Sequence, residues 1–179
     1  MALRATRAAT QDGPALRVVG TELVALAERL QGLCLGRGLT VCAAESCTGG
    51  MLAEVITDVP GSSGYFLGSI VSYVDAAKSE LLGVPEDLLV AHGAVSAQVA
   101  RAMVTGARER FGADLALSVT GVAGPDGGTP AKPVGLTYLG LADAASAEVR
   151  RFNWAGDRKA NREASVQAAL AWLIERADR

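Results

Sequence analysis

The chain has 179 residues, half of them hydrophobic and 20% charged, enough to bury one ordinary core and short for two. Seventeen Lys and Arg against nineteen Asp and Glu leave a net charge of −2, which gives no electrostatic footprint for a nucleic-acid partner. No run approaches the ~18 consecutive apolar residues of a membrane span, so no membrane partner is expected.

The first 18 residues carry arginines but no apolar segment, which excludes a secretory signal and reads as a flexible tail over 1–18. Residues 19–179 are expected to form one domain. From Thr21, the residues Leu23, Leu26, Ala27, Leu30 and Leu33 follow helical spacing up to Gly36–Gly38. The uninterrupted run LTVCAA then predicts a strand covered on both faces, with Cys42 a small core residue. Leu52, Val55, Ile56 and Val59 make a helical stripe stopped by Pro60-Gly61, and residues 64–73 are strand-like. A short helix follows over 75–85, with Asp75 as its expected N-cap and Gly83 and Pro85 as stops.

After a turn at His92-Gly93, Ser96 caps a long helix whose stripe is Val99, Met103, Ala107 and Phe111, ended by Gly112. Residues 114–120 read as a buried strand, followed by the loop GVAGPDGGTPAKP (121–133), too long for a simple hairpin. Two paired strands surround a polar turn at Asp143–Ser146. A last helix opens at Asp157, with Val166, Leu170, Leu173 and Ile174 on its inner face. Alternating strands and helices with one late hairpin predict an α/β fold, a three-layer α/β/α sandwich with a mixed, mostly parallel sheet. Its site belongs at the C-terminal strand ends, where Ser46, Tyr73, Thr120 and the glycine loop all fall.

Three scattered cysteines, Cys34, Cys42 and Cys47, lack CxxC spacing. They argue against a disulfide framework or a zinc site and for a reducing cytoplasm. No metal or cofactor is expected, since the chain has neither a GxxxxGK[ST] phosphate loop nor a GxGxxG dinucleotide fingerprint.

The stretch AAESCTGG (43–50) places two adjacent nucleophile types, Ser46 and Cys47, on a strand-to-helix turn. The single histidine, His92, sits in a turn that favours exposure. The remaining base is Lys78, in the first turn of its helix, where the helix dipole disfavours an ammonium and a neutral amine becomes accessible. Spacing alone leaves Lys78 equally readable as a surface lysine beside Ala76 and Ala77, and leaves open which of Ser46 and Cys47 reacts. Thr120-Gly121 ends a buried strand, so the glycine-loop amides can face the site and bind an anion. Arg158 and Arg162, four apart at a helix start, can reach one phosphate. They belong to a local basic excess with Arg150, Arg151 and Lys159.

Taken together and in this order, AESCTGG, VPGSS, GAVSAQVA, VTGVAGPDGGTPAKPVG and GDRKANR closely resemble the CinA C-terminal domain family. The resemblance runs from about Leu39 to Leu173. Stand-alone members are nicotinamide-nucleotide amidases, so it implies hydrolysis of the carboxamide of nicotinamide mononucleotide to nicotinic acid mononucleotide and ammonia, in pyridine nucleotide recycling. Carried over residue by residue, it makes Ser46 the nucleophile, Lys78 the base, Tyr73 a partner in the proton relay and Thr120 the threonine of the TG(I/V)AGP stretch. Substrate would be held by Cys47, Thr48, Gly49, Gly121, Gly124, Gly127, Gly128, Arg158 and Arg162. The small-molecule nucleotide needs no metal or cofactor, and family precedent implies a homo-oligomer, a dimer or higher.

Family members usually read Tyr-Ser-Asn where this chain reads Tyr73-Val74-Asp75. The Asp75 carboxylate is expected to raise the Lys78 pKa and oppose base function. That departure motivates a competing expectation, a catalytically degenerate nucleotide-binding or regulatory module. A serine–lysine hydrolase of another amide, such as a peptide or lactam, leaves the arginines and glycine loop unexplained.

Overall fold

The computed structural model describes residues 20–179; the tail expected over 1–18 lies outside them. In chain order the elements are α1 (Thr21–Arg37), β1 (Val41–Glu45), α2 (Met51–Thr57), a 3-10 turn (Ser62–Gly64), β2 (Phe66–Val71), α3 (Asp75–Leu82), α4 (Glu86–His92), α5 (Ala97–Phe111), β3 (Leu115–Gly121), β4 (Leu136–Ala142), β5 (Ala147–Asn153) and α6 (Arg158–Ala177). The strands form one sheet in the order β2-β1-β3-β4-β5. β2, β1 and β3 pair in parallel, and β4 runs antiparallel to both β3 and β5. Four strands thus point one way, and only the β4 of the late hairpin is reversed.

The two-residue alternation of the strands divides the core into two layers. Val41, Ala43, Leu115, Leu117, Val119, Leu139 and Leu141 face α1, α2 and α6. Cys42, Ala44, Ala116 and Ala142 face α3, α4 and α5. All five residues of β1 are buried, as a strand covered on both faces requires. The second face is lined by small residues, which lets α5 come close. Ser118 Oγ donates to Ala100 O at 2.7 Å, and a Cβ on Gly140 would lie 2.7 Å from that same carbonyl.

Capping follows the sequence at two helices. The Ser96 side chain accepts from Val99 N, and the Asp157 side chain accepts from Ala160 N at 2.8 Å. Asp75 departs from its expected place: Val74 is the N-cap of α3 and Asp75 is the first helical residue, making no capping bond. α4 is an addition, because Leu89 is its only buried residue and a single contact leaves no stripe to read. No helix among the described residues is long and apolar enough to cross a membrane.

Candidate active site

β1, β2 and β3 are in register, with Glu45 level with Val71 and Val119. The next residue of each strand therefore shares one level, which brings Ser46, Ser72 and Thr120 side by side at the C-terminal edge of the sheet. Ser46 N donates to Val119 O at 2.9 Å, and Ser72 N donates to Glu45 O at 2.8 Å. Beyond Ser46 the chain turns sharply into α2, with Gly49 and Gly50 both at positive φ.

Lys78, the fourth residue of α3, enters this edge from the side and is only 1% exposed. Its Nζ donates to Ser72 O at 2.9 Å and to Ser46 Oγ at 3.2 Å. Among the described residues no carboxylate forms an ion pair with it. A buried ammonium without a counter-ion costs several kcal/mol, so burial lowers the Lys78 pKa below the ordinary lysine value. Asp75 pulls it upward, as expected from the sequence, but by less than burial pulls it down.

The structure separates the two adjacent nucleophile types. Cys47 is buried, and desolvation pushes its thiol up to about 11, against the smaller opposing pull of Arg162 and Lys78. Such a thiol stays protonated at neutral pH. Ser46 is the hydroxyl in contact with the buried amine. His92, exposed at the end of α4, hydrogen-bonds neither through its ring to Ser46 nor to Lys78; its carbonyl accepts from Lys132 Nζ.

Two residues expected in the chemistry have other partners. The Tyr73 ring is 56% exposed, and its hydroxyl accepts from Arg158 Nη2 at 2.9 Å, so no Tyr73–Lys78 relay contact is formed. Thr120 is buried beside Ser46, and its hydroxyl donates to Ala94 O at 2.8 Å, tying the end of β3 to the loop before α5.

The start of α6 supplies the arginines. Arg158 Nη1 donates to Gly124 O at 2.8 Å, so this side chain links the glycine loop to Tyr73. Arg162, one turn on, donates to Thr48 O in the turn after Ser46 and lies near Gly49. Two of the other basic residues have partners elsewhere: Arg150 pairs with Glu175 at 2.9 Å and lies over the Trp172 ring, and Lys159 pairs with Glu163.

Residues 23–177 match the sequence pattern of the CinA C-terminal domain. The chain belongs to this family. A CinA-like protein of Citrifermentans bemidjiense is 58% identical over 146 residues, which cover 82% of this chain and 35% of the relative. One from Geobacter sulfurreducens is 56% identical over 140 residues, 78% of this chain and 34% of the relative. The chain thus spans about a third of the length of the curated relatives it matches. Among solved structures, the competence/damage inducible protein CihA from Agrobacterium tumefaciens superposes with a TM-score of 0.88 at 36% identity, covering 92% of this chain and all of the other. A CinA superfamily protein from Klebsiella pneumoniae gives 0.84 at 31% identity, covering 87% and 98%.

The glycines of this CinA domain serve its backbone. A Cβ on Gly121 would lie 2.7 Å from Leu136 O, and one on Gly128 would lie 2.9 Å from Val134 N. Gly124 is buried under Arg158, while Gly127 and Gly128 are exposed on the outer part of the loop. Two site residues escape a reading of the sequence. Ser72 supplies the carbonyl that holds Lys78. Asn161 is 2% exposed, donates to Ala123 O at 3.1 Å and accepts from Gly156 N at 3.0 Å, clamping the loop to α6. Ser72 is hidden in an apolar run, and Asn161 lies between Lys159 and Arg162 where a surface residue is the ordinary expectation.

Proposed function

We propose that this CinA domain is an amidohydrolase that converts nicotinamide mononucleotide and water to nicotinic acid mononucleotide and ammonia. The observation carrying this reading is the buried Lys78 amine, unpaired by any carboxylate among the described residues and 3.2 Å from Ser46 Oγ. In its neutral form the amine offers a lone pair to the serine O–H. Ser46 Oγ attacks the carboxamide carbon as its proton passes to Lys78 Nζ. The resulting ammonium returns that proton to the departing nitrogen, which leaves as ammonia and yields an ester at Ser46. Water then attacks the ester, giving a proton to Lys78, and that proton returns to Ser46 as the acid is released.

The electron-poor pyridinium ring makes the substrate's carbonyl a good electrophile. Amides of the turn after Ser46 and of the glycine loop would hold the tetrahedral oxyanion. One such donor contributes a few kcal/mol to the rate. Arg158 and Arg162 take the 5′-phosphate, exchanging bonds to Gly124, Tyr73 and Thr48 for charge-assisted ones. The remote phosphate then orients the amide for attack.

The degenerate binding module was motivated by Asp75. Burial outweighs Asp75 at Lys78, which supports the hydrolase over that alternative. The three described cysteines are all free and buried, consistent with work in a reducing cytoplasm. Ammonia release from nicotinamide mononucleotide by purified protein, beside Ser46→Ala, tests the reading. Turnover lost in the variant is expected; a native protein that binds the nucleotide without releasing ammonia overturns it.

A further inference from the structure

Glu45 is a glutamate with no solvent exposure, one residue before the nucleophile, and nothing in the proposed chemistry uses it. Its two carboxylate oxygens accept four hydrogen bonds. Oε2 takes the amides of Gly50 and Leu52, each at 3.0 Å. Oε1 takes the Ala53 amide and the Ser69 hydroxyl, also at 3.0 Å each. The N-cap of α2 is Gly50, which has no side chain to cap with. A carboxylate on the preceding strand therefore satisfies the free N–H groups of the first turn. The span it bridges, 46–50, is the turn that carries Ser46.

The main chain of Glu45 reaches the other half of the pair. Its carbonyl accepts from Ser72 N at 2.8 Å, and Ser72 O accepts from Lys78 Nζ at 2.9 Å. Ser69, the fourth donor to the carboxylate, stands on β2 directly opposite Ala43, three residues before Ser72. One residue thus grips the nucleophile's turn with its side chain and the strand supporting the base with both side chain and backbone. An ordinary helix cap needs only one or two such bonds; four donors on one fully buried carboxylate, from two elements, amount to a rigid mount.

We propose that Glu45 is a positioning residue that sets the separation of Ser46 and Lys78 by clamping the 46–50 turn onto β2. This rests on the Ser46–Lys78 reading above and deepens it. Hydroxyl-to-amine proton transfer is sensitive to that separation, and misplacement by ~1 Å can cost about 10²-fold. A glutamine at 45 keeps the volume but turns an N–H₂ group toward at least one backbone N–H donor: with its oxygen left on Gly50 and Leu52, the Ala53 bond is lost and the Ser69 hydroxyl must reverse to accept.

The test follows covalent labelling of Ser46 by a fluorophosphonate, located by mass spectrometry, because this readout needs no nicotinamide substrate. Native protein, Glu45→Gln, Ser69→Ala and Lys78→Ala are compared at a temperature where circular dichroism shows each folded. Glu45→Gln is expected to label about 10²-fold more slowly. Its pH profile should move toward higher pH, because a loosened turn admits water to Lys78. Ser69→Ala, which removes one donor from outside the turn, is expected to slow labelling several-fold with the fold intact. Folded Glu45→Gln and Ser69→Ala proteins that label at the native rate and pH profile overturn the positioning role and leave the Ser–Lys pair standing. A native Ser46 that labels no faster than in Lys78→Ala overturns both.

Discussion

Lys78 Nζ lies 3.2 Å from Ser46 Oγ inside the protein, and the described residues supply two oxygen acceptors but no carboxylate partner there. Mutation separates the catalytic and structural consequences. Lys78→Met fills the space with an apolar chain, so kcat is expected to fall by roughly 10² to 10⁴ while the nucleotide still binds. Stability moves oppositely. Between the lowered folded pKa and the ordinary value of 10.5, the unfolded chain holds a proton that the folded chain lacks. Native stability therefore rises with pH across that window, and the full penalty applies below it. Urea melts should show Lys78→Met more stable than native at neutral pH by about 1 kcal/mol, with the alkaline gain abolished.

Asp75 opposes the burial of Lys78 electrostatically. Removing its charge in Asp75→Asn leaves the Lys78 pKa lower, so the acid limb of the kcat/KM profile shifts to lower pH and the rate at neutral pH rises. Asp75 is exposed, and salt screens such a charge; at ~1 M the Debye length is about 3 Å, so the two profiles should converge. Initial rates across pH at low and high salt check both the sign and the screening.

Cys47 stands next to the nucleophile, yet burial holds its thiol at about 11. Alkylation by iodoacetamide at pH 7.5 should therefore be slow, with turnover surviving the treatment. Ser46→Ala is expected to lose roughly 10³-fold or more, and Cys47→Ala to keep kcat within about threefold. An enzyme inactivated stoichiometrically by alkylation at Cys47 would reverse the assignment.

Much of this arrangement is readable locally. The uninterrupted apolar run from Val41 to Ala44 announces a strand with two covered faces, Ser96 and Asp157 announce their helices, and Ser46 falls at a strand end. What is not readable depends on residues distant in sequence. Lys78 follows Ala76 and Ala77 and looks like a surface lysine; in the fold its amine meets Ser46, 32 residues earlier. Tyr73 looks like a neighbour of Lys78 in the chemistry, but its hydroxyl is taken by Arg158, 85 residues away. Glu45 reads as the polar end of a strand, because nothing local shows that four donors converge on it.

That Tyr73–Arg158 contact makes a distinct kinetic prediction. A relay tyrosine would lower kcat when its hydroxyl is removed. A hydroxyl that steadies Arg158 acts on substrate binding instead, so Tyr73→Phe should raise KM several-fold and leave kcat within about threefold. Arg158→Ala removes the charged group itself. Its KM should rise by about 10- to 100-fold, from the roughly 1.5–3 kcal/mol of a hydrogen bond to a charged group. Steady-state kinetics with nicotinamide mononucleotide and the phosphate-free riboside separate these effects, since the riboside should be insensitive to Arg158→Ala.

Gly106 links the packing of α5 to the site. A mid-helix Gly→Ala change ordinarily gains close to 1 kcal/mol. Here the added Cβ would lie 1.8 Å from Leu82 O, at the end of α3. No side chain can yield at a backbone carbonyl, so α3 must move off α5. Overpacking of this kind costs ~1–3 kcal/mol and overrides the propensity gain. Gly106→Ala is expected to lower Tm by several degrees and to depress kcat, because α3 carries Lys78. Gly32, in α1, has nothing within 4 Å of its would-be Cβ. Gly32→Ala should raise Tm by a few degrees and leave kcat unchanged. Thermal melts and ammonia release on the two variants check the pair, and a Gly106→Ala protein as stable and active as native would show that α3 is free to shift.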